Sequence, residues 1–281
     1  MRGPAPPSTP ITSREKQVKI EIQDVTPELA AQLLKLNTRN RNLNAKTVAA
    51  YARAMSRGDW KVNGDPFYRT DTENRISDGQ HRLEAVVQSG VTLPGMLVVT
   101  GLDPEAQDTM DSGRKRTTAD ALSIHGMSNA NVLSAVARRA WMWDRGNYKF
   151  TNTESPSTAE IREVLQTYPS IVRSAEIGAR TNSSYRPAGA TVTGFAHHLF
   201  HNIREDLAAE FFAQLATGAG LTEGHPVLTL RSRLVRDKVT GKILTTPLAL
   251  AYYIRCWNAL REDRPLTVIV HTAAEPMPMP V

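Results

Sequence analysis

The dipeptide Asp78-Gly79 constrains this chain more than any other feature, because one structural period gives way to another across it. Upstream, residues 66–70 and 75–77 read as the two strands of a hairpin around the turn-rich run Asp71-Thr72-Glu73-Asn74. Downstream, Leu83, Val86 and Val87 recur at helical spacing as an inward stripe, and Gly90 closes the run. A chain that passes from strand to helix through a glycine needs a tight turn there. That order belongs to a mixed α/β unit.

The flanking segments extend the unit. Residues 17–23 alternate Val18, Ile20 and Ile22 with Lys19, Glu21 and Gln23, the period of a half-buried strand with its valine and isoleucines inward. Thr26-Pro27 opens a helix with Leu29, Leu33 and Leu36 as its stripe, and Asn44 starts a second one that ends at Gly58. Residues 96–100 form a short buried strand, Asp103-Pro104 caps a helix reaching Met110, and Thr117 with Asp120 makes a capping box. From Ser128 onward the pattern is helical, with helices expected over 131–145, 157–167, 170–180, 190–202, 205–216, 226–238 and 246–262. A β-branched run at 266–270 reads as a terminal strand, followed by a proline-rich tail. The expected fold is α+β: a leader (1–14), an α/β domain (15–127) and a mainly helical domain (128–281).

Composition narrows the function classes. Apolar residues are 41% of the 281, enough for a sizeable core, and no run approaches the length of a membrane span. The leader holds four prolines within its first 13 residues and no apolar core, so it reads as disordered and not as a signal peptide. One cysteine, Cys256, excludes an internal disulfide and a cysteine-rich zinc site. These features point to a soluble, cytoplasmic protein with no membrane partner. The net charge of +6 is compatible with polyanion partners. It is spread evenly, with 17 Lys+Arg against 15 Asp+Glu in residues 1–127 and 17 against 13 in 128–281. Local basic clusters therefore matter more than bulk charge.

The Asp78–Arg82 turn collects the chemistry. Gly79 allows close approach of another group, and the first turn of the following helix presents N–H groups and partial positive charge. Arg82 can fork onto phosphate oxygens, His81 can act as acid or base, and Asp78 can hold Mg²⁺ or orient its neighbours. The loop Asp111-Ser112-Gly113-Arg114-Lys115-Arg116-Thr117 is a second candidate, a basic glycine-bearing segment before a helix start.

The string Ile76-Ser77-Asp78-Gly79-Gln80-His81-Arg82-Leu83-Glu84-Ala85, followed by Gly90, resembles the signature box of the ParB/sulfiredoxin-like superfamily. It resembles most the branch of phages and mobile elements that carries Asp-Gly-Gln-His-Arg, and the likeness covers about residues 17–126. In that superfamily the box binds nucleotide phosphates, CTP in partition proteins and ATP in sulfiredoxin. The resemblance implies phosphate contacts from Gly79, Gln80, His81 and Arg82, joined by Arg116 and Thr117 of a matching downstream element. It also implies that the loop before the second helix faces the box, bringing Arg39 and Arg41 beside it, with Arg114 and Lys115 as further nucleic-acid contacts. Gln80 stands where sulfiredoxins place their reactive cysteine, which removes that reductase chemistry. The Glu-Arg-Arg run and helix-turn-helix segment of partition proteins are not evident.

The expected function is binding of a nucleoside triphosphate or of DNA phosphates, in phage or mobile-element DNA metabolism. The alternatives are a Mg²⁺-dependent phosphotransferase or nuclease, with Asp78 and His81 as catalytic residues, and a non-catalytic adaptor. Oligomeric state is left open. Elsewhere, His197, His198 and His201 read as packing or surface histidines rather than zinc ligands. Trp141, Trp143 and Tyr148 read as core or domain-interface residues rather than base-stacking platforms, and Arg231, Arg233 and Arg236 as a solvated helix face.

Overall fold

A computed structural model describes residues 18–38, 40, 42–110, 117–272 and 274–281. The chain divides into two compact units, Met1–Arg114 and Lys115–Val281. The boundary lies earlier than 127, because the helix that follows the Thr117 capping box contributes Leu122 to the helical core.

Among the described residues the first unit is a four-stranded sheet with three α-helices. The strands are β1 (Lys19–Val25), β2 (Tyr68–Asp71), β3 (Ile76–Asp78) and β4 (Leu93–Leu102), in the order β1-β4-β2-β3. β4 runs antiparallel to β1 and parallel to β2, and β2 and β3 form an antiparallel hairpin. Helices α1 (Pro27–Leu34), α2 (Ala45–Ser56) and α3 (Gln80–Ser89) supply Ala30, Val48, Ala52, Met55, Leu83 and Val86 to a core shared with Tyr68, Met96 and Val98 of the sheet. The expected helix starts are formed. Thr26 Oγ1 accepts from Leu29 N, and Asn44 Oδ1 accepts from the amides of Lys46 and Thr47. The hairpin turn is built by Asp71, whose Oδ1 accepts from Glu73 N at 2.8 Å and Arg75 N at 2.9 Å. Burial alone would raise the Asp71 carboxyl; the hydrogen bonds from Arg75 and Glu73 outweigh it and hold the group below its usual range.

Three expectations about the apolar faces are corrected here. β1 has the expected period of two, but Ile20 and Ile22 are each 69% exposed and Val18 is 51% exposed, so that face is not covered by the core. Val87 on α3 and Leu36 after α1 are also exposed, while Ala30 takes the buried place on α1. Periodicity reports that a strand or helix has two unlike faces. It does not report whether the apolar face is covered.

The second unit comprises α4 (Thr118–Ile124), α5 (Ala130–Asp144), α6 (Thr158–Thr167), α7 (Ile171–Ser184), α8 (Ala190–His201), α9 (Glu205–Thr217), α10 (Pro226–Val239) and α11 (Thr246–Arg261). Its core centres on the fully buried Phe195, Phe200, Phe211, Tyr252, Tyr253 and Trp257, with Phe200 stacked on Trp257 at 4.4 Å. Helices α7 and α8 cross at a glycine contact: a Cβ on Gly178 would lie 2.3 Å from Ala190 O and 2.7 Å from Gly194 N.

The run 266–270 forms no strand, contrary to its β-branched composition. It is held instead by Leu266 N donating to Gly224 O and by Arg233 Nη1 donating to Ile269 O, both at 2.9 Å. The proline-rich tail after it docks on α11. Trp257 Nε1 donates to Val281 O and Asn258 Nδ2 to Met279 O. Among the described residues no helix is long and apolar enough to cross a membrane.

Candidate functional site

Gly79 sets the geometry of the turn between β3 and α3. Its φ of +101° lies in the left-handed region, and a Cβ there would sit 2.6 Å from Phe67 O and 2.8 Å from Tyr68 Cα. Both the conformation and the lack of space require glycine. Among the described residues helix α3 starts here without a side-chain cap and without an acidic residue in its first turn; the nearest carboxylate is that of Asp78, just before the cap.

Asp78, on the last residue of β3, joins two arginines. Its Oδ2 accepts from Arg82 Nη2 at 2.6 Å, one helical turn away, and from Arg69 Nη1. Arg69 is the cross-strand partner of Asp78 in the hairpin. The three side chains are between 21% and 23% exposed, which limits screening by water. Two guanidinium groups share one carboxylate, so the cluster keeps one surplus positive charge. Arg82 is fixed further by Nε, which donates to Phe67 O at 2.6 Å. This arrangement bears against Mg²⁺ on Asp78, since the guanidinium groups occupy the carboxylate and repel a second cation. Among the described residues no group of three or more His, Cys, Asp and Glu is placed to hold a metal.

His81 has a positioning contact of its own. The amide of Asn44, the cap residue of α2, donates to His81 Nε2 at 2.9 Å. That nitrogen must be unprotonated to accept, which puts the proton of the neutral ring on Nδ1. Its Nε2 lone pair is therefore engaged, and the general-base role loses the atom it would use.

The polar loop between α1 and α2 lies against the box through Asn37 and Asn40. Asn37 Nδ2 donates to the buried Gln80 at Oε1 (2.9 Å), and Asn40 Nδ2 donates to Ile76 O (2.6 Å). Gln107, from the 3-10 turn Pro104–Thr109, donates to Asn40 Oδ1 at 3.0 Å. Gln80 is thus a strut under the loop and not a surface donor. Arg39, Arg41, Arg114, Lys115 and Arg116 lie outside the described residues. Thr117 is described, and it forms the capping box of α4. Its hydroxyl accepts from Asp120 N, its own amide donates to Asp120 Oδ2, and that carboxylate places negative charge at the start of α4.

The residue missed by sequence reading is Arg69, whose signal was available. Folding the hairpin about Asp71–Arg75 puts Arg69 opposite Asp78. Asn37 and Asn40 belong to a loop whose position depends on the packing of α1 and α2, and no local pattern marks them.

Most of the other candidates pack within the second unit, whereas Arg236 is exposed. His197 is buried with Nδ1 2.9 Å from Ser174 Oγ, and Trp141 is buried beneath the Arg145 guanidinium. Arg231 and Arg233 are not a solvated face. Arg231 stacks on Tyr185 and donates to Leu215 O, while Arg233 binds Asp237, Tyr252 and Ile269. No family model, curated protein or solved structure matches this chain.

Proposed function

We propose that the first unit is a ParB/sulfiredoxin-like domain that binds the phosphates of a nucleoside triphosphate or of DNA at the N-terminus of α3. Its setting would be the DNA metabolism of phages or mobile elements. The observation that carries this reading is the Arg69–Asp78–Arg82 cluster beside the Gly79 turn. Asp78 orients both guanidinium groups through one oxygen, leaving Arg82 Nη1 and Arg69 Nε and Nη2 without an acceptor among the described residues. Guanidinium donors held rigidly at an uncapped helix start suit a phosphate, which takes forked hydrogen bonds and needs positive charge. The enzymatic alternative has less support, because Asp78 is engaged by two cations and His81 Nε2 by a backbone amide.

The test is titration calorimetry with ATP, CTP, GTP and duplex DNA, each with and without Mg²⁺, at low salt. Arg69→Ala is the sharper variant, since Asp78 keeps Arg82 and the fold keeps its strut. It should weaken binding of the recognised ligand about tenfold or more, given the strength of a charge-assisted fork, with an unchanged circular dichroism spectrum. Wild-type protein that binds none of these ligands would sink the proposal.

A further inference from the structure

The uncovered face of β1 is the largest disagreement between this chain's patterning and its fold. Val18, Ile20 and Ile22 project from it, and Ile20 and Ile22 stand opposite Val99 and Leu97 of β4 in register. β1 is also the edge of the sheet: among the described residues only β4 pairs with it. Edge strands of soluble proteins are normally blunted by proline, inward charge or a bulge within their length. β1 has no proline or glycine, and its one irregularity lies near its end, between Gln23 and Val25. Its charges Lys19 and Glu21 lie on the face shared with Val98 and Thr100 of β4, and being opposite in sign they can neutralise one another across a pair of identical strands. Lys19 and Glu21 are exposed and make no ion pair with a described residue.

We propose that β1 is a dimerisation edge, on which a second copy of this chain pairs antiparallel about a two-fold axis through Ile20. The occupant follows from self-complementarity. In this register Ile20 meets Ile20 of the other copy, Val18 meets Ile22, and Lys19 meets Glu21, so all four flanking pairs are matched in polarity or charge. Shifting the axis to Glu21 sets two glutamates against each other, and shifting it to Ile22 sets Ile20 against Asp24. Only the first register satisfies every position. The two four-stranded sheets then form one eight-stranded sheet, and the isoleucines pack across the seam instead of standing in water. A single seven-residue strand on each side makes a small interface, of the class that associates reversibly. The inference is independent of the phosphate site.

Sedimentation equilibrium of the full chain over a micromolar concentration series tests it. The wild type should approach the mass of two chains. Glu21→Lys places like charges opposite one another and should weaken association about tenfold or more, while Lys19→Glu combined with Glu21→Lys restores the wild-type affinity. Both side chains are exposed, so at dilutions where wild type and variants are all single chains they should share one melting temperature. Ile20→Cys adds the second cysteine to a chain whose own Cys256 is buried, and oxidation should give a covalent dimer across the axis. A wild type that stays at the mass of one chain overturns the proposal. So does a Glu21→Lys variant that associates normally, or a charge swap that does not restore association.

Discussion

Replacing Gly79 with alanine forces a left-handed φ on a residue with a side chain and drives a Cβ into Phe67 O and Tyr68 Cα. The expected loss is on the order of 3 kcal/mol of stability in the first unit, combining the conformational and overpacking costs. Urea denaturation followed by circular dichroism measures it. The arginine pair should behave differently. Arg69→Ala or Arg82→Ala alone leaves Asp78 with one partner, whereas the double variant leaves a partly buried carboxylate with neither. The double variant should therefore lose more than the sum of the singles, by about 1 kcal/mol. Additive losses would show that the two guanidinium groups do not act through Asp78. The Asp78–Arg82 pair was legible in the sequence because its members are one helical turn apart. Arg69 required the hairpin register, and that register is set by the Asp71 turn.

At the scale of elements, helix starts and turns were the most legible part of the fold. Thr26, Asn44, Thr117 and Ser157 all cap the helices they precede, because capping is a contact between residues two or three positions apart. Contacts between elements left no such mark. Gly178 lies mid-helix on α7, where glycine costs helix stability, and only the crossing of α8 explains it. Gly178→Ala should destabilise the second unit by about 2 kcal/mol, even though alanine is the better helix former. The neighbours are backbone atoms that cannot rotate away, so a stabilising outcome in thermal melts would contradict this packing. The 266–270 run fails as a strand for the complementary reason. A strand needs a partner edge, and α10 offers this segment Thr229 and Arg233 side chains in place of a ladder.

For the whole molecule, the buried histidines set a pH window. Burial, reinforced by His201, Arg173, His198 and Arg180, lowers His197 to about 3, and burial with His201 lowers His198 to about 4. Both folded values lie below the ordinary value near 6.5. Below that pH the unfolded chain takes up protons that the folded chain refuses, so stability is complete above about pH 6.5 and falls as the pH drops toward 4. The slope should approach roughly 1.4 kcal/mol per pH unit for each histidine. Urea midpoints at a series of pH values measure it, and His198→Gln should flatten the decline. What the sequence determined by itself is the local layer: the strand–glycine–helix turn, the caps, the helical second half and the placement of Asp78 and Arg82 within one turn. These depend on residues a few positions apart, whose interactions survive without the rest of the chain. Only the tertiary structure decided that Arg69 shares Asp78, that Asn44 holds His81, that Thr117 belongs to the helical unit and that Ile20 and Ile22 face outward. Each of these depends on which surfaces meet, and distant segments settle that only when they fold together.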